Sequence, residues 1–352
     1  MKNLAKVKSE RTFGIEIEFI TDGTNSQSQI AQELNRAFRS VTIESEGWNH
    51  TTRDHWKIVT DSSCGLELVS PILTGSKGLK QAQRVIDTLS MIEGVTVNRS
   101  CGIHVHVGCA DITANGMKNV ILQYAKNERL INSVLAPSRR DTRWARQLVG
   151  NNSRYTDMNS LKTALDGADT CTQIISLMSG RYQTVNVQCW NRQRTVEFRQ
   201  HGGSLDSEKI MNWVVFLLNT VEKCMKSNKI SLTVNENQVK AFKQCFGESK
   251  VVYDFMLGRA KHFGFDCYGE VETVEQLRYF SCEGEDGNMY KVQMMSNGAY
   301  IVQVNGIQSD SNRTVLKDLL VSLDITLPNI LPSKAHQTAR QLGKQLFANV
   351  NC

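Results

Sequence analysis

Gly14-Ile15-Glu16-Ile17-Glu18-Phe19 is the stretch on which the architecture turns. Side chains alternate across a strand, so both glutamates point one way while Ile15, Ile17 and Phe19 point the other. Two later stretches repeat the scheme. In Ile103-His104-Val105-His106-Val107 the histidines oppose the valines, and in Val196-Glu197-Phe198-Arg199-Gln200-His201 the charged residues occupy alternate positions. Three strands with one ionisable and one apolar face predict a single sheet with helices packed on its apolar side.

On an antiparallel sheet of this kind, the polar face gathers Glu16, Glu18, Glu197, Arg199 and two histidines. Two carboxylates about 5 Å apart at an effective dielectric near 20 repel by roughly 3 kcal/mol. Such a group must take up protons or bind cations. Hard oxygen ligands with few imidazoles favour Mg2+ or Mn2+ over zinc. Strand residues i and i+2 lie about 6.6 Å apart, so Glu16 and Glu18 can each reach a different ion of a pair about 4 Å apart. Arg199 offers a planar fork of donors suited to a transferring phosphoryl group.

Around these strands the hydrophobic period predicts helices over 28–38, 77–91, 117–135 and 207–226, with less regular helical stretches between 161 and 178. Extended segments are expected at 13–20, 56–60 and 66–70, and a hairpin of 184–189 with 195–200 turned by Asn191, Arg192 and Gln193. The pattern changes near residue 228. Beyond it, 278–282, 289–295 and 299–304 read as a meander with tight turns at Asp286-Gly287 and Asn297-Gly298, followed by helices over 314–323 and after Pro332. The expected organisation is a polar tail (1–10), a catalytic domain (11–227) and a small C-terminal meander and helical accessory region (228–352), α+β in class.

The totals narrow the function classes. With 352 residues, 40% hydrophobic and 22% charged, the chain can bury a full core. No run approaches the roughly 18 apolar residues of a membrane span, and the basic start carries no apolar signal, so membrane insertion and export are not expected. Ten scattered cysteines without a C-x-x-C pair fit a reducing cytoplasm better than a disulfide framework. The charge of +6 is spread out, and Glu283, Glu285 and Asp286 sit at a C-terminal turn, so a nucleic-acid partner is not expected.

Each motif has a plainer reading beside this one. Glu-Ile-Glu alone fits a solvated sheet face, and His-Val-His is common strand decoration. Cys101 to Cys109 spells C-x2-H-x-H-x2-C, but on a strand the two cysteines are about 26 Å apart and of opposite parity to the histidines, which argues against zinc. Three matching strands favour the cation-binding face.

Taken with Asp61-Ser-Ser, Glu67-Leu-Val-Ser-Pro71, Arg181-Tyr182 and Asn186, the three strands occur in the order and spacing of a known family. Residues 11–225 resemble the amidoligases, relatives of glutamine synthetase and glutamate-cysteine ligase. The resemblance implies a glutamine-synthetase-like sheet. It also implies that Glu16, Glu18, Glu67, His104 and Glu197 hold the catalytic cations, that His106 and Arg199 face ATP phosphates, and that Asp61 lies near the amine. Arg139 and Arg140 fall where the family often has a basic pair and are candidates for the acid substrate or phosphate. Arg181, Tyr182 and Asn186 match in position, as substrate contacts or as support of the hairpin.

The resulting expectation is an ATP-dependent, magnesium-requiring ligase joining a small-molecule or peptide carboxylate to an amine through an acyl phosphate, able to form oligomers. Two rivals stand beside it: a metal-dependent amide hydrolase built on His104 and His106, and a non-catalytic nucleotide-binding scaffold. The hydrolase needs further nitrogen ligands, and His50, His55, His262 and His336 lie in no ligand motif.

Overall fold

The computed structural model describes residues 9–264, apart from 39 and 63, and the backbone of four strands further on. The chain divides into two compact units, Met1–Gly269 and Glu270–Cys352.

In the first unit, β1 (Thr12–Thr21) is followed by α1 (Gln27–Ala37), β2 (Ile43–Gly47), β3 (Trp56–Asp61), β4 (Gly65–Val69), β5 (Leu73–Thr74), α2 (Gly75–Leu89), β6 (Val95–Thr96), β7 (Gly102–Gly108) and α3 (Ala114–Ser133). Then come α4 (Met158–Asp166), α5 (Cys171–Leu177), β8 (Val185–Asn186), α6 (Trp190–Gln193), β9 (Thr195–Gly202), α7 (Ser207–Lys226), α8 (Gln238–Phe246) and α9 (Lys250–His262). Several helix starts follow from their caps. Ser26 and Gln29 form a reciprocal capping box on α1, while Asp157 and Thr170 cap α4 and α5, resolving the irregular 161–178 stretch into two helices.

The strands form one sheet in the order β2-β3-β4-β1-β7-β9-β8, with β5 and β6 pairing to the ends of β1. Phe13, Ile15, Ile17 and Phe19 are buried on the helix side, and their partners Ile103, Val105, Val107, Val196 and Phe198 continue that layer. The central helix α7 closes it with Ile210, Trp213, Leu217 and Val221. Phe246 of α8 packs onto Phe216 and Phe242 onto Phe246, so by packing the first unit continues past residue 228. No helix among the described residues is long and apolar enough to cross a membrane.

The structure corrects two expectations. The sheet is mixed, because β2 runs parallel to β3 with Ile43 opposite Trp56. Parallel pairing forces residues 48–55 to cross back along the sheet, and Lys57 Nζ pins that crossover by donating to the carbonyls of Asn49 and Thr51 at 2.7 and 2.8 Å. The second correction is on β9. Val105 faces Phe198 but Ile103 faces His201, so β9 carries one more residue than β7 across this interval. That bulge inverts the alternation. His201 therefore lies on the helix side against Trp213, ring centroids 5.4 Å apart, and not on the polar face.

The expected hairpin pairs as β8 with β9, but its connection is the short helix α6, ended by Arg194 in the left-handed conformation at φ 55°. The seven described cysteines form no disulfide. In the second unit the described backbone consists of β10 (Gln276–Glu283), β11 (Met289–Met295), β12 (Tyr300–Val304) and β13 (Ile307–Gln308), joined antiparallel in that order. The expected turns at 286–287 and 297–298 and the helices over 314–323 and after 332 lie outside the described residues.

Candidate active site

The register of four strands assembles the polar face. Glu18 stands directly across from Glu67, Glu16 across from His104, and His106 across from Glu197, which in turn faces Asn186. These residues floor a cleft of about 1310 Å³. Trp48, His50 and Thr51 of the crossover form one side, Trp144, Arg181 and Tyr182 line it as well, and Asp61, Lys57, Arg139 and Arg199 reach into it.

His104 Nδ1 is 3.1 Å from Glu16 Oε2, 3.8 Å from Glu197 Oε1 and 4.0 Å from Glu67 Oε1, while its Nε2 is 3.7 Å from Glu18 Oε1. His106 Nε2 lies 3.4 Å from Glu16 Oε1 and 3.8 Å from Glu197 Oε1. Two ligand sets follow, Glu16/Glu67/His104 and Glu16/His106/Glu197, each with its donor atoms within 4.8 Å of one another. Glu16 belongs to both. A third set, Glu18/Asp61/Cys64, adjoins them, and Asp61 Oδ1 accepts from the Cys64 amide at 3.1 Å.

The electrostatics match the crowding. Burial raises the Glu67 carboxyl well above its ordinary range, and Glu16, Glu18, Asp61 and Glu197 push it in the same direction. Burial also raises Glu16, but His106 and His104 outweigh it and hold the group well below normal. Glu197 is lowered too, against burial, by His106, Arg199 and His104. His106 is pulled down by burial but raised overall by Glu16 and Glu197. The face is short of positive charge.

His106 supplies a direct test of whether cations fit. Its Nδ1 is 3.0 Å from Thr195 Oγ1, while the buried Nε2 makes no hydrogen bond and faces two carboxylates. If the Thr195 hydroxyl accepts from Nδ1–H, the Nε2 lone pair points at oxygens that carry no proton. Only a proton or a cation resolves that contact, and a ligating imidazole whose other nitrogen is hydrogen-bonded is the usual arrangement at a metal. Carboxylate-rich sets with one imidazole each suit Mg2+ or Mn2+.

Supporting residues fix the ligands. The Gly102 amide donates to Glu18 Oε2, and a Cβ at Gly102 would stand 3.4 Å from both Glu18 Oε2 and His104 Nε2. Glu197 accepts from Asn186 Nδ2 at 2.6 Å, from the Cys189 thiol at 3.2 Å and from Arg199 Nη1. Asn186 thus gains a definite role as support for Glu197.

The basic pair separates. Arg139 is buried at the cleft floor and donates to the carbonyls of Ser100 and Cys101, whereas Arg140 bonds the Leu135 carbonyl and lies over the Phe263 ring at 5.6 Å, outside the cleft. Arg181 donates to the Tyr182 hydroxyl at 2.6 Å, and the Tyr182 ring meets Trp144 edge-on at 5.3 Å.

Sequence reasoning missed Lys57, Thr195 and Cys189. Lys57 carried a signal, a lysine inside the apolar run Trp56-Lys57-Ile58-Val59, whereas Thr195 and Cys189 gain their roles only once the strands are paired. None of His50, His55 and His262 joins His104 and His106: His50 meets the Trp48 ring, His55 bonds Glu46 and Asp54, and His262 meets Phe263. The fourth, His336, lies outside the described residues.

Comparison with the curated proteins finds no match. The family model described as putative amidoligase enzyme matches residues 9–221, which contain β1 through most of α7 and every residue of the two ligand sets. The chain therefore belongs to the putative amidoligase enzyme family.

Proposed function

We propose that this protein is an ATP-dependent carboxylate-amine ligase that works through an acyl phosphate with two divalent cations. The observation that carries the reading is Glu16 shared between two ligand sets, beside a buried His106 Nε2 without a hydrogen bond. Glu16, Glu67 and His104 would hold one Mg2+ or Mn2+, and Glu16, His106 and Glu197 the other. Bound there, the ions would offset charge on the ATP phosphates and on the reacting oxygens. This grouping makes His106 a ligand, where the family resemblance placed it at the phosphates.

The remaining roles fall to side chains. Arg199, fixed by Glu197, stabilises the phosphoryl group as a substrate carboxylate oxygen attacks the γ-phosphorus and ADP leaves. An amine nitrogen then attacks the acyl carbon, inorganic phosphate departs, and the nitrogen gives up its proton to Asp61, at the end of β3. The cleft exceeds the roughly 300–1,000 Å³ of a single small-molecule site, as two substrates and ATP require.

The test is to incubate the full chain with ATP, Mg2+ and pooled metabolites or peptides, following ADP and products lighter than their two parents by one water. Condensation with wild type and none with Glu16→Gln supports the reading. ATP consumption by Glu16→Gln at the wild-type rate contradicts it.

A further inference from the structure

Glu128 is a carboxylate in the C-terminal half of α3, only 3% exposed, on the helix side of the sheet. Its partners are all donors. The Leu148 amide reaches its two oxygens at 2.9 and 3.1 Å, and the Thr184 hydroxyl donates to Oε1 at 2.7 Å. Burial pushes the group up to about 8, although the Thr184 hydroxyl and the amides of Leu148 and Val149 pull it the other way. A group buried at that cost and supplied only with donors is a candidate for function as well as for packing.

The two segments it joins both grip Arg199. The Arg199 amide donates to the Thr184 carbonyl at 3.0 Å, and Arg199 Nε lies 3.4 Å from the Trp144 carbonyl. The Thr184 amide also donates to the Arg146 carbonyl at 2.8 Å, which seats the loop ahead of Leu148 on the run into β8. Trp144 on that loop and Tyr182 beside β8 meet at 5.3 Å in the cleft wall, with Arg199 over the Tyr182 ring at 5.9 Å.

We infer that Glu128 is a positioning residue: by tying the Leu148 loop to Thr184 it sets the guanidinium of Arg199, and with it the Trp144–Tyr182 wall, where the ATP phosphates are to bind. The inference rests on the ligase reading for its ligand. It assigns Glu128 no contact with substrate.

The experiment is a double-mutant cycle on the full chain, reading affinity for ATP with Mg2+ by calorimetry and for Mn2+ alone as a control. Glu128→Gln puts an amide N–H₂ at one of the two oxygen positions that accept from the Leu148 amide, and about a tenfold loss of ATP affinity is expected in the wild-type background. In the Arg199→Ala background the same change should cost less than about twofold, because the group it positions is gone. Mn2+ alone should bind within about twofold of wild type in Glu128→Gln, which shows that the carboxylate floor has folded. If Glu128→Gln fails that control, Thr184→Val decides instead, with about a threefold loss of ATP affinity expected with Arg199 and none without it.

An equal loss in both backgrounds, or no loss in either, overturns the positioning role while leaving the ligase reading standing. Wild type that binds Mn2+ but no ATP overturns the ligase reading, and this inference with it.

Discussion

His106, half-buried, and His201, buried, lie on opposite faces of one sheet, and the protein shifts them in opposite directions. Around His201 burial dominates and Lys209 adds to it, so the ring is pushed down to about 3 and stays neutral, its Nδ1 2.7 Å from the Gly202 carbonyl. Around His106 the same burial is overcome by Glu16 and Glu197, and the ring is raised. The helix-covered face is closed by apolar packing, with Trp213 against His201. The cleft face instead sets clustered carboxylates against two imidazoles and Arg199.

That contrast is broken most severely at Glu197. Glu197→Gln removes one anionic ligand from the Glu16/His106/Glu197 set, and affinity for one Mn2+ should fall at least about 100-fold while the far-ultraviolet circular dichroism stays native. Retention of full affinity would show that Glu197 is not a ligand.

The converse change is Ile17→Ala, between Glu16 and Glu18 but pointing into the helices. It should cost about 2–5 kcal/mol in a denaturant titration, since the fully buried site leaves a cavity. Mn2+ affinity of the folded protein should stay within about threefold. A loss as large as that of Glu197→Gln would mean that the faces are not independent.

The histidines sharpen the comparison through pH. The folded pKa of His201 lies below its unfolded value, so below about 6.5 the unfolded chain takes up a proton that the folded chain refuses. Stability from this group is whole above about pH 6.5 and falls by up to about 1.4 kcal/mol per unit as the pH drops toward 3. Denaturant midpoints measured from pH 7 to 4 should drop less steeply in His201→Gln than in wild type. Equal slopes would mean that His201 is not held neutral.

The smallest effect is expected from the split basic pair. Arg140→Ala should change affinity for ATP with Mg2+ by less than about twofold, because Arg140 turns away to Phe263 and the Leu135 carbonyl. A tenfold loss would put it back at the substrate.

Much of this contrast was legible in the sequence, because strand alternation is a rigid rule. It put Glu16, Glu18, His104, His106, Glu197 and Arg199 on one face before any pairing was known, and the cross-strand register brings them together. Glu67, reached only through the family resemblance, lies directly across from Glu18. What escaped were departures from the rule. One added residue in β9 sends His201 to the other side, and no periodicity announces a bulge in a run of polar residues. The parallel β2 has one buried apolar residue, Ile43, too few to signal a strand. Glu128 was lost within a helix buried on most sides, where its value depends on a loop twenty residues away in sequence.

The central claim is that Glu16 completes two cation sites at once, and a Mn2+ titration of wild type and Glu16→Gln, followed by electron paramagnetic resonance in the presence of ATP, tests it most directly. The expected result is two ions per wild-type chain and loss of tight binding at both sites in the variant. Two ions held undiminished by Glu16→Gln, or a wild-type chain that binds none, would contradict it.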